Sequence, residues 1–231
     1  MSSQLSGRVL AVCAGKTATL QHGRREVETA FVKSPIAQRI TVGVLGVPGD
    51  EHVYEDHGGP DMALLAYPHE HYAHWRSLGL ELSDSGALGE NLTVSGLPES
   101  DVHLGDTFAV GTAVIQVAQP RTPCYKLAAR FGRRDMPVMV QDTGYTGYLL
   151  RVLQEGSIGA GDEMRLVDRE PHGVTVAVAG RAVNVDRNDV ETARRVLAVA
   201  SLGSSVRRKL EGRVASAEHL GLDTERLFLP D

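Results

Sequence analysis

The sequence predicts a mainly β protein, in which a barrel or sandwich of short strands is followed by a small all-α domain. Two observations carry this prediction. Glycine turns divide the first 170 residues into short apolar runs, a pattern typical of barrels and sandwiches. After Pro171 the apolar residues recur at helical spacing instead. We therefore expect two domains, which comprise residues 1–170 and residues 171–231.

Five segments of the first domain are predicted to contain strands. GRVLAVCAG and MALLAY are continuous apolar runs, as found in buried strands. Gly111 and Thr112 divide TFAVGTAVIQVAQ into two halves, which indicates a hairpin with a two-residue turn. The five segments are residues 7–15, 39–50, 62–67, 107–119 and 163–168.

A few helices are expected around the strands and after them. HEHYAHWRSLGL follows Pro68 and places Tyr72, Trp75 and Leu78 at helical spacing. PVMVQDTGYTGYLLRVLQEG, residues 137–156, is predicted to be a helix that glycines interrupt. In the C-terminal domain the expected helices are NDVETARRVLAVASLG, SSVRRKLEGRV and HLGLDTERLFL.

Composition argues against several classes of protein. A formal net charge of -5 does not favour a protein that coats nucleic acid. No apolar run reaches the roughly 20 residues that a bilayer requires. The N-terminus lacks the features of a signal peptide, so we expect a cytoplasmic protein without a membrane partner. Two cysteines are too few for a four-cysteine zinc site or an all-cysteine iron–sulfur cluster.

Three histidines in the first predicted helix have a spacing that does not favour a metal site. His69 and His71 would point about 200° apart on a helix, so at most two of the three could share a metal. We therefore expect His69, His71 and His74 to be solvated helix residues rather than zinc ligands.

Two loops concentrate polar residues of the kind that bind ligands. DHGGPD contains His57 followed by Gly58 and Gly59, whose bare backbone lets N–H groups approach a ligand closely. GALGENLTV places Glu90 and Asn91 just before a strand-like segment. Each loop alone is weak evidence, since such residues also occur in ordinary turns.

The two cysteines differ in their surroundings. Cys13 lies within an apolar run, where a cysteine usually behaves as a small, inert hydrophobic residue. Cys124 lies in QPRTPCYKL, a proline-stiffened loop that also contains Arg121 and Lys126. Because nearby cations stabilise a thiolate, Cys124 is the candidate nucleophile or soft metal ligand.

In combination, these pieces resemble the MOSC domain, named after the C-terminal domain of molybdenum cofactor sulfurase, and within it the YiiM-type branch. The segment after the strands looks like the three-helix domain of that branch. One departure is Met62, which stands where the resemblance implies an arginine. The matching pieces, in the family's order, are Gly-x-x-Gly-Asp (46–50), His-Gly-Gly-Pro-Asp (57–61), Tyr-Pro-x-Glu-x-Tyr-x-x-Trp (67–75), Gly-Glu-Asn-Leu (89–92), Gly-Asp (105–106) and Gln-Pro-Arg-x-Pro-Cys-Tyr-Lys-Leu (119–127).

The resemblance implies a MOSC-type β-barrel that binds the molybdenum cofactor, molybdopterin. It also implies reduction of N-hydroxylated small molecules such as hydroxylaminopurines, which is a detoxifying activity. Cys124 matches the family's metal ligand. The residues that match the cofactor-binding stretches are Lys33, Ser34, His57, Gly58, Gly59, Asn91 and Arg121.

Such a reduction consumes electrons that no side chain can supply unaided, so a cofactor must carry them. The sequence has no nicotinamide- or flavin-binding motif. We therefore expect a separate electron-donor reductase, with Arg207, Arg208 and Lys209 as a candidate docking surface. Three alternatives use the same pocket: a cofactor carrier without turnover, a sulfur or acyl transferase with Cys124 as nucleophile, and a pyridoxal-phosphate protein that uses one of four lysines.

Overall fold

The computed structural model describes residues 5–53 and 58–228, with side chains described through residue 217. Its strands are β1 (Ser6–Ala14), β2 (Ala18–His22), β3 (Arg25–Thr29), β4 (Ser34–Pro35), β5 (Ile40–Val42), β6 (Leu64–Pro68), β7 (Leu92–Ser95), β8 (Thr107–Val110), β9 (Ala113–Pro120), β10 (Tyr148–Gln154), β11 (Gly156–Ile158) and β12 (Glu163–Asp168). Its helices are α1 (His71–Ser77), α2 (Lys126–Phe131), α3 (Met136–Thr143), α4 (Val176–Asn184), α5 (Val190–Leu197) and α6 (Ser204–Phe228), and a 3-10 turn spans Pro60–Met62.

Seven of the strands form a closed barrel. Their order is β12-β8-β9-β10-β6-β7-β1, and β1 pairs with β12 to complete the circle. Of these pairs, β6 and β7 run parallel and the others run antiparallel. Buried aliphatic residues from every strand of the circle form one hydrophobic cluster, as expected for a small barrel filled by side chains. The prediction of a mainly β barrel is therefore confirmed.

Two smaller sheets accompany the barrel, and both have two strands. β2 pairs with β3, and β5 pairs with β11. The predicted strands coincide with β1, β5, β6, the β8–β9 hairpin and β12. The pattern of the sequence does not predict β2 and β3, because most of their residues are exposed and polar.

The segment 137–156 is not one interrupted helix, as predicted, but a helix followed by a strand. α3 ends at Thr143, where Gly144 adopts a left-handed φ of 74°. Gly147 has a φ of 71°, and β10 begins directly after it. Along Tyr148–Val152 buried and partly buried side chains alternate, which is the period of a strand. Since almost all of these side chains are apolar, the alternation could not be read from the sequence.

The C-terminal helices also differ from those predicted. α4 lies in a segment where the sequence predicts no helix, and Thr175 caps it by accepting a hydrogen bond from Val178 N. α5 ends at Leu197, six residues before Gly203, the last residue of the predicted segment. A single helix, α6, stands in place of the two that were predicted after residue 203.

These three helices share a hydrophobic cluster with the barrel. Val183 of α4, Val196 of α5 and Val206 of α6 are buried in the same cluster as the barrel interior. α4 lies against β9, and α6 packs on α5. The helices therefore form a layer on the barrel wall, whereas the domain boundary at residue 170 stays a prediction.

Candidate functional site

A cavity of 390 Å³ lies between the barrel and the first turns of α6. Four of the predicted site residues line it: Lys33, Asn91, Arg121 and Cys124. They come from three segments that are far apart in the sequence and that the fold brings together. Their roles in binding remain a prediction.

Three other predicted residues, Ser34, Gly58 and Gly59, are not among those that line the cavity. Ser34, on β4, is exposed and is not among the side chains that line the cavity. Gly58 and Gly59 precede the 3-10 turn, and Gly59 O accepts a hydrogen bond from Met62 N at 2.9 Å. His57 falls outside the described residues.

Met62, which replaces the expected arginine, is one of the apolar residues in the cavity wall. The preceding Asp61 pairs with Arg151 across 2.8 Å and accepts a hydrogen bond from Ser204 N at 2.8 Å. The carboxylate therefore joins the barrel to the start of α6 without a neighbouring arginine at position 62.

Cys124 lies in the loop between the end of β9 and the start of α2. Its carbonyl oxygen accepts a hydrogen bond from Leu127 N at 3.1 Å, which fixes the backbone at the entrance to α2. The side chain is partly exposed to the cavity and forms no disulfide. Cys13, by contrast, is fully buried, and burial raises its thiol pKa to about 11.

Arg121 is buried in the cavity wall. Its Nη1 donates a hydrogen bond to Leu88 O at 2.8 Å, and its guanidinium carbon lies 5.4 Å from the centre of the Phe31 ring. Within the described part of the chain no carboxylate forms an ion pair with it. Burial lowers the pKa of Arg121, and the surrounding charges of Cys124 and Glu90 offset only part of that effect.

Lys33 is buried and already has a partner. Its ammonium group forms an ion pair with Asp50, and burial lowers the pKa of Lys33 despite that pair. Asp50 also accepts hydrogen bonds from Gly15 N at 2.7 Å and from Asn91 Nδ2 at 2.8 Å. Asn91 Oδ1 accepts a hydrogen bond from Leu65 N at 3.1 Å, so Asn91 ties this charge pair to the barrel.

Glu90 has a structural role that its neighbours explain. Its buried carboxylate accepts hydrogen bonds from the hydroxyls of Tyr72 and Thr93 and from the backbone N–H groups of Gly86 and Leu88. These bonds hold the loop before β7 in shape. Since Leu88 O in turn accepts the hydrogen bond of Arg121, Glu90 determines where that guanidinium lies.

The first turns of α6 complete the cavity, which the sequence did not predict. Ser205, Val206 and Lys209 line its wall. Ser205 Oγ donates a hydrogen bond to Gln119 Oε1 at 2.9 Å, so α6 is anchored to the end of β9. The hydrophobic periodicity of α6 and of β9 does not show that the two elements pack on each other, so this contact could not be predicted from the sequence.

The cavity collects most of the lysines of the chain. The sequence has four lysines, and Lys33, Lys126 and Lys209 line the cavity. The fourth, Lys16, pairs with Glu51, which also lines it. Four cations line the cavity in a chain of net charge -5, and Asp50 balances the charge of one of them, Lys33; the four are Lys33, Arg121, Lys126 and Lys209. An anionic ligand suits such a cavity.

One of the three histidines near the start of α1, His71, is not solvated as predicted. It is buried, its Nε2 lies 2.7 Å from Glu99 Oε2, and its ring stacks on Tyr145 with centroids 3.8 Å apart. In the described ranges, no group of three histidine, cysteine or acidic side chains is placed to hold a metal ion.

The fold and the site place the chain among closed β-barrel proteins whose cavity is lined by one partly exposed thiol and several cations. The family model of the MOSC domain matches residues 53–165. The chain belongs to the MOSC-domain family, in its YiiM-type branch.

Known relatives cover nearly the whole chain. Protein YiiM of Escherichia coli (strain K12) is 36% identical over 211 residues, which are 90% of this chain and 92% of that protein. The crystal structure of YiiM from Geobacillus stearothermophilus has a TM-score of 0.77 and 33% identity, with 90% of this chain and 99% of that chain covered. A protein named Reductase from Gibberella moniliformis is 35% identical over 148 residues, or 62% of this chain and 26% of that protein.

Among the helices between residues 5 and 228, none combines the length and the apolar character that crossing a membrane requires.

Proposed function

We propose that this protein is an oxidoreductase that binds the molybdenum cofactor and reduces N-hydroxylated small molecules, with Cys124 as the protein's ligand to the metal. The cavity carries this proposal, because it places one partly exposed thiol among lining cations. Membership of the MOSC family and a relative that is named a reductase support an oxidoreductase.

The residues of the cavity fit a metal cofactor that brings most of its own ligands. Since the described side chains offer no cluster of three metal ligands, a metal held by the protein alone would lack partners here. The sulfur atoms of a pterin would supply ligands, and Cys124 would add one soft thiolate. Arg121, which has no ion-paired carboxylate in the described residues, would balance negative charge on the cofactor.

Reduction of an N-hydroxyl group to an amine takes up two electrons and two protons and releases one water molecule. The bound cofactor supplies the electron transfer that side chains cannot perform. The chain's own residues would bind and orient the substrate. His52 lies in the cavity wall and is exposed enough to exchange protons with solvent.

The cofactor proposal is tested by elemental and pterin analysis of protein from a host that synthesises the molybdenum cofactor. We expect stoichiometric metal in the wild type. Cys124→Ser replaces a soft thiolate by a hard, mostly protonated hydroxyl, so reduction of hydroxylaminopurine should nearly vanish. Cys13→Ala is the control: it should cost about 1 kcal/mol of stability and leave the activity of the folded protein intact. Normal turnover by Cys124→Ser would refute the proposal.

A separate electron donor is part of this proposal. NADH alone should give no turnover, whereas a low-potential dye or an added reductase should. The docking surface predicted at residues 207–209 is divided in the structure. Arg207 donates hydrogen bonds to Leu197 O and Val199 O at 3.2 and 2.8 Å, Arg208 is exposed, and Lys209 lines the cavity. Robust turnover with NADH as the sole reductant would contradict the need for a partner.

A second candidate, a pyridoxal-phosphate protein, is favoured by one observation. Three lysines line a cation-rich cavity, and a Schiff base requires a lysine near a phosphate site. Borohydride reduction followed by peptide mapping distinguishes the two proposals. A trapped pyridoxyl group on Lys33, Lys126 or Lys209 would favour this candidate over the molybdenum cofactor.

A further inference from the structure

Three cations lie together where α6 meets the cavity. Lys209 and Arg213 are four residues apart, about one helical turn, so their side chains share a face of α6. Arg187, in the loop after α4, lies close enough to interact electrostatically with both. Lys209 is among the residues that line the cavity, and Arg187 and Arg213 are not. We call Arg187, Lys209 and Arg213 the rim cluster.

The structure holds the rim cluster in position. Arg213 donates hydrogen bonds to Ala182 O at 2.8 Å and to Val183 O at 2.7 Å, at the carboxyl end of α4. At the other end, Gly203 N donates to Ala118 O at 2.9 Å, which fixes the start of α6 on β9. The side chain of Lys209 is therefore presented to the cavity by a helix that is fixed on both sides.

Among the side chains described through residue 217, no carboxylate pairs with any member of the rim cluster, although Arg213 is bound to two carbonyl oxygens of α4. Other arginines of the same region do have such partners: Arg181, for example, pairs with Asp186 at 3.0 Å. Partial burial lowers the pKa of Lys209, and the positive charges of Arg213 and Arg187 lower it further. An anion at Lys209 would relieve this repulsion.

We propose that the rim cluster is a binding subsite for a phosphate monoester, with Lys209 as its contact to the ligand. A dianionic phosphate is the small anion whose charge suits three adjacent cations, and a lysine ammonium is a compact donor for it. Lys209 and Cys124 line the same cavity, so a molecule with its phosphate at Lys209 extends toward the thiol. The phosphate belongs either to the cofactor or to a substrate at the nucleotide level. This choice of source rests on the proposed function, whereas the subsite itself does not.

The subsite is tested first without any turnover. Adenosine monophosphate is titrated into cofactor-free protein at low ionic strength, and binding is measured by calorimetry and by the rise in Tm. Lys209→Gln should weaken the affinity about tenfold or more, as loss of one charge-assisted hydrogen bond predicts. Arg208→Gln is the matched control, because it removes an exposed cation from the same helix outside the cavity, and it should bind as the wild type does.

Stability provides a check that Lys209→Gln remains folded. Because the charged neighbours of Lys209 are cations, its neutral variant should have a Tm at least equal to that of the wild type without ligand. Equal affinities for the wild type and Lys209→Gln, or no measurable binding to the wild type, would overturn the subsite.

Two further measurements identify the source of the phosphate. If the cofactor supplies it, Lys209→Gln purified from a cofactor-producing host should contain less pterin and molybdenum than Arg208→Gln. If a substrate supplies it, the metal content should be equal. The KM of Lys209→Gln should then rise for the monophosphate of hydroxylaminopurine riboside but not for the free base. Phosphate binding in a protein that reduces neither compound would retain the subsite and reject the proposed function.

Discussion

Glu90→Gln tests how the loop before β7 is held in place. The carboxylate accepts four hydrogen bonds: one at Oε2 from Leu88 N at 3.0 Å, and three at Oε1 from Tyr72, Gly86 and Thr93. A glutamine places an N–H₂ group at one of these two positions. The better orientation of the glutamine amide keeps its oxygen at the Oε1 position, where three donors meet. Its nitrogen then faces Leu88 N–H, so two hydrogen-bond donors point at each other.

The expected loss of stability follows from those contacts. One buried N–H loses its acceptor, which costs about 1–3 kcal/mol, and three charge-assisted hydrogen bonds become weaker neutral ones. A total of about 3 kcal/mol lowers Tm by roughly 6–12 °C in a chain of this size. Thr93→Val is the matched control, since it removes one of the four donors and conserves shape. It should cost about 1 kcal/mol.

Urea denaturation of cofactor-free protein measures both changes in the free energy of unfolding. Circular dichroism during heating provides Tm independently. If Glu90→Gln is no less stable than Thr93→Val, the carboxylate does not organise the loop, and the account of how Arg121 is positioned is wrong.

Three further predictions concern the thiols, the seating of α6 and pH. In folded protein at pH 8, iodoacetamide should alkylate Cys124 and leave Cys13 unmodified, since a pKa of about 11 leaves about one thiolate in a thousand; equal labelling, measured by mass spectrometry, would contradict the burial of Cys13. Gly203→Ala should lower Tm and disturb the cavity, because its Cβ would lie 2.2 Å from Oε1 of the buried Gln119 side chain; an unchanged Tm would show that Gln119 or α6 can move aside at no cost. Partial burial lowers the pKa of His52 below that of an unfolded histidine, so the unfolded state binds the proton first as pH falls. The free energy of unfolding should therefore decrease as pH falls through about 6.5, and His52→Gln should reduce that slope; an unchanged slope would assign the effect to other groups.

Several strands and the loop that contains Arg121 and Cys124 could be predicted from the sequence, for different reasons. β1, β8 and β9 are apolar runs bounded by glycines, and such patterns are local. Arg121 and Cys124 stand out because their residue types are unusual on a proline-stiffened loop. By contrast, the sequence predicts a helix where β10 lies, since a buried apolar run has the same appearance in both structures.

Tertiary contacts account for most of what the sequence could not show. His71 has the same sequence context as its neighbouring histidines, and its burial depends on Glu99, which is 28 residues away. Lys33 matches a cofactor-binding stretch, yet its charge is balanced by Asp50, from another segment. In both cases a long-range contact with a carboxylate determines the surroundings of a polar side chain, and no periodicity in the sequence records such a contact.

One compositional signal in the sequence points to the cavity. The chain has four lysines among its 24 lysines and arginines, so arginine carries most of its positive charge. Arg207 and Arg213 use the planar guanidinium group to donate hydrogen bonds to carbonyl oxygens near the ends of α5 and α4. A lysine cannot satisfy two acceptors in that fixed geometry, but it offers a compact charge to a phosphate. In a chain that otherwise uses arginine, three of the four lysines line one cavity, where a compact positive charge suits an anionic ligand.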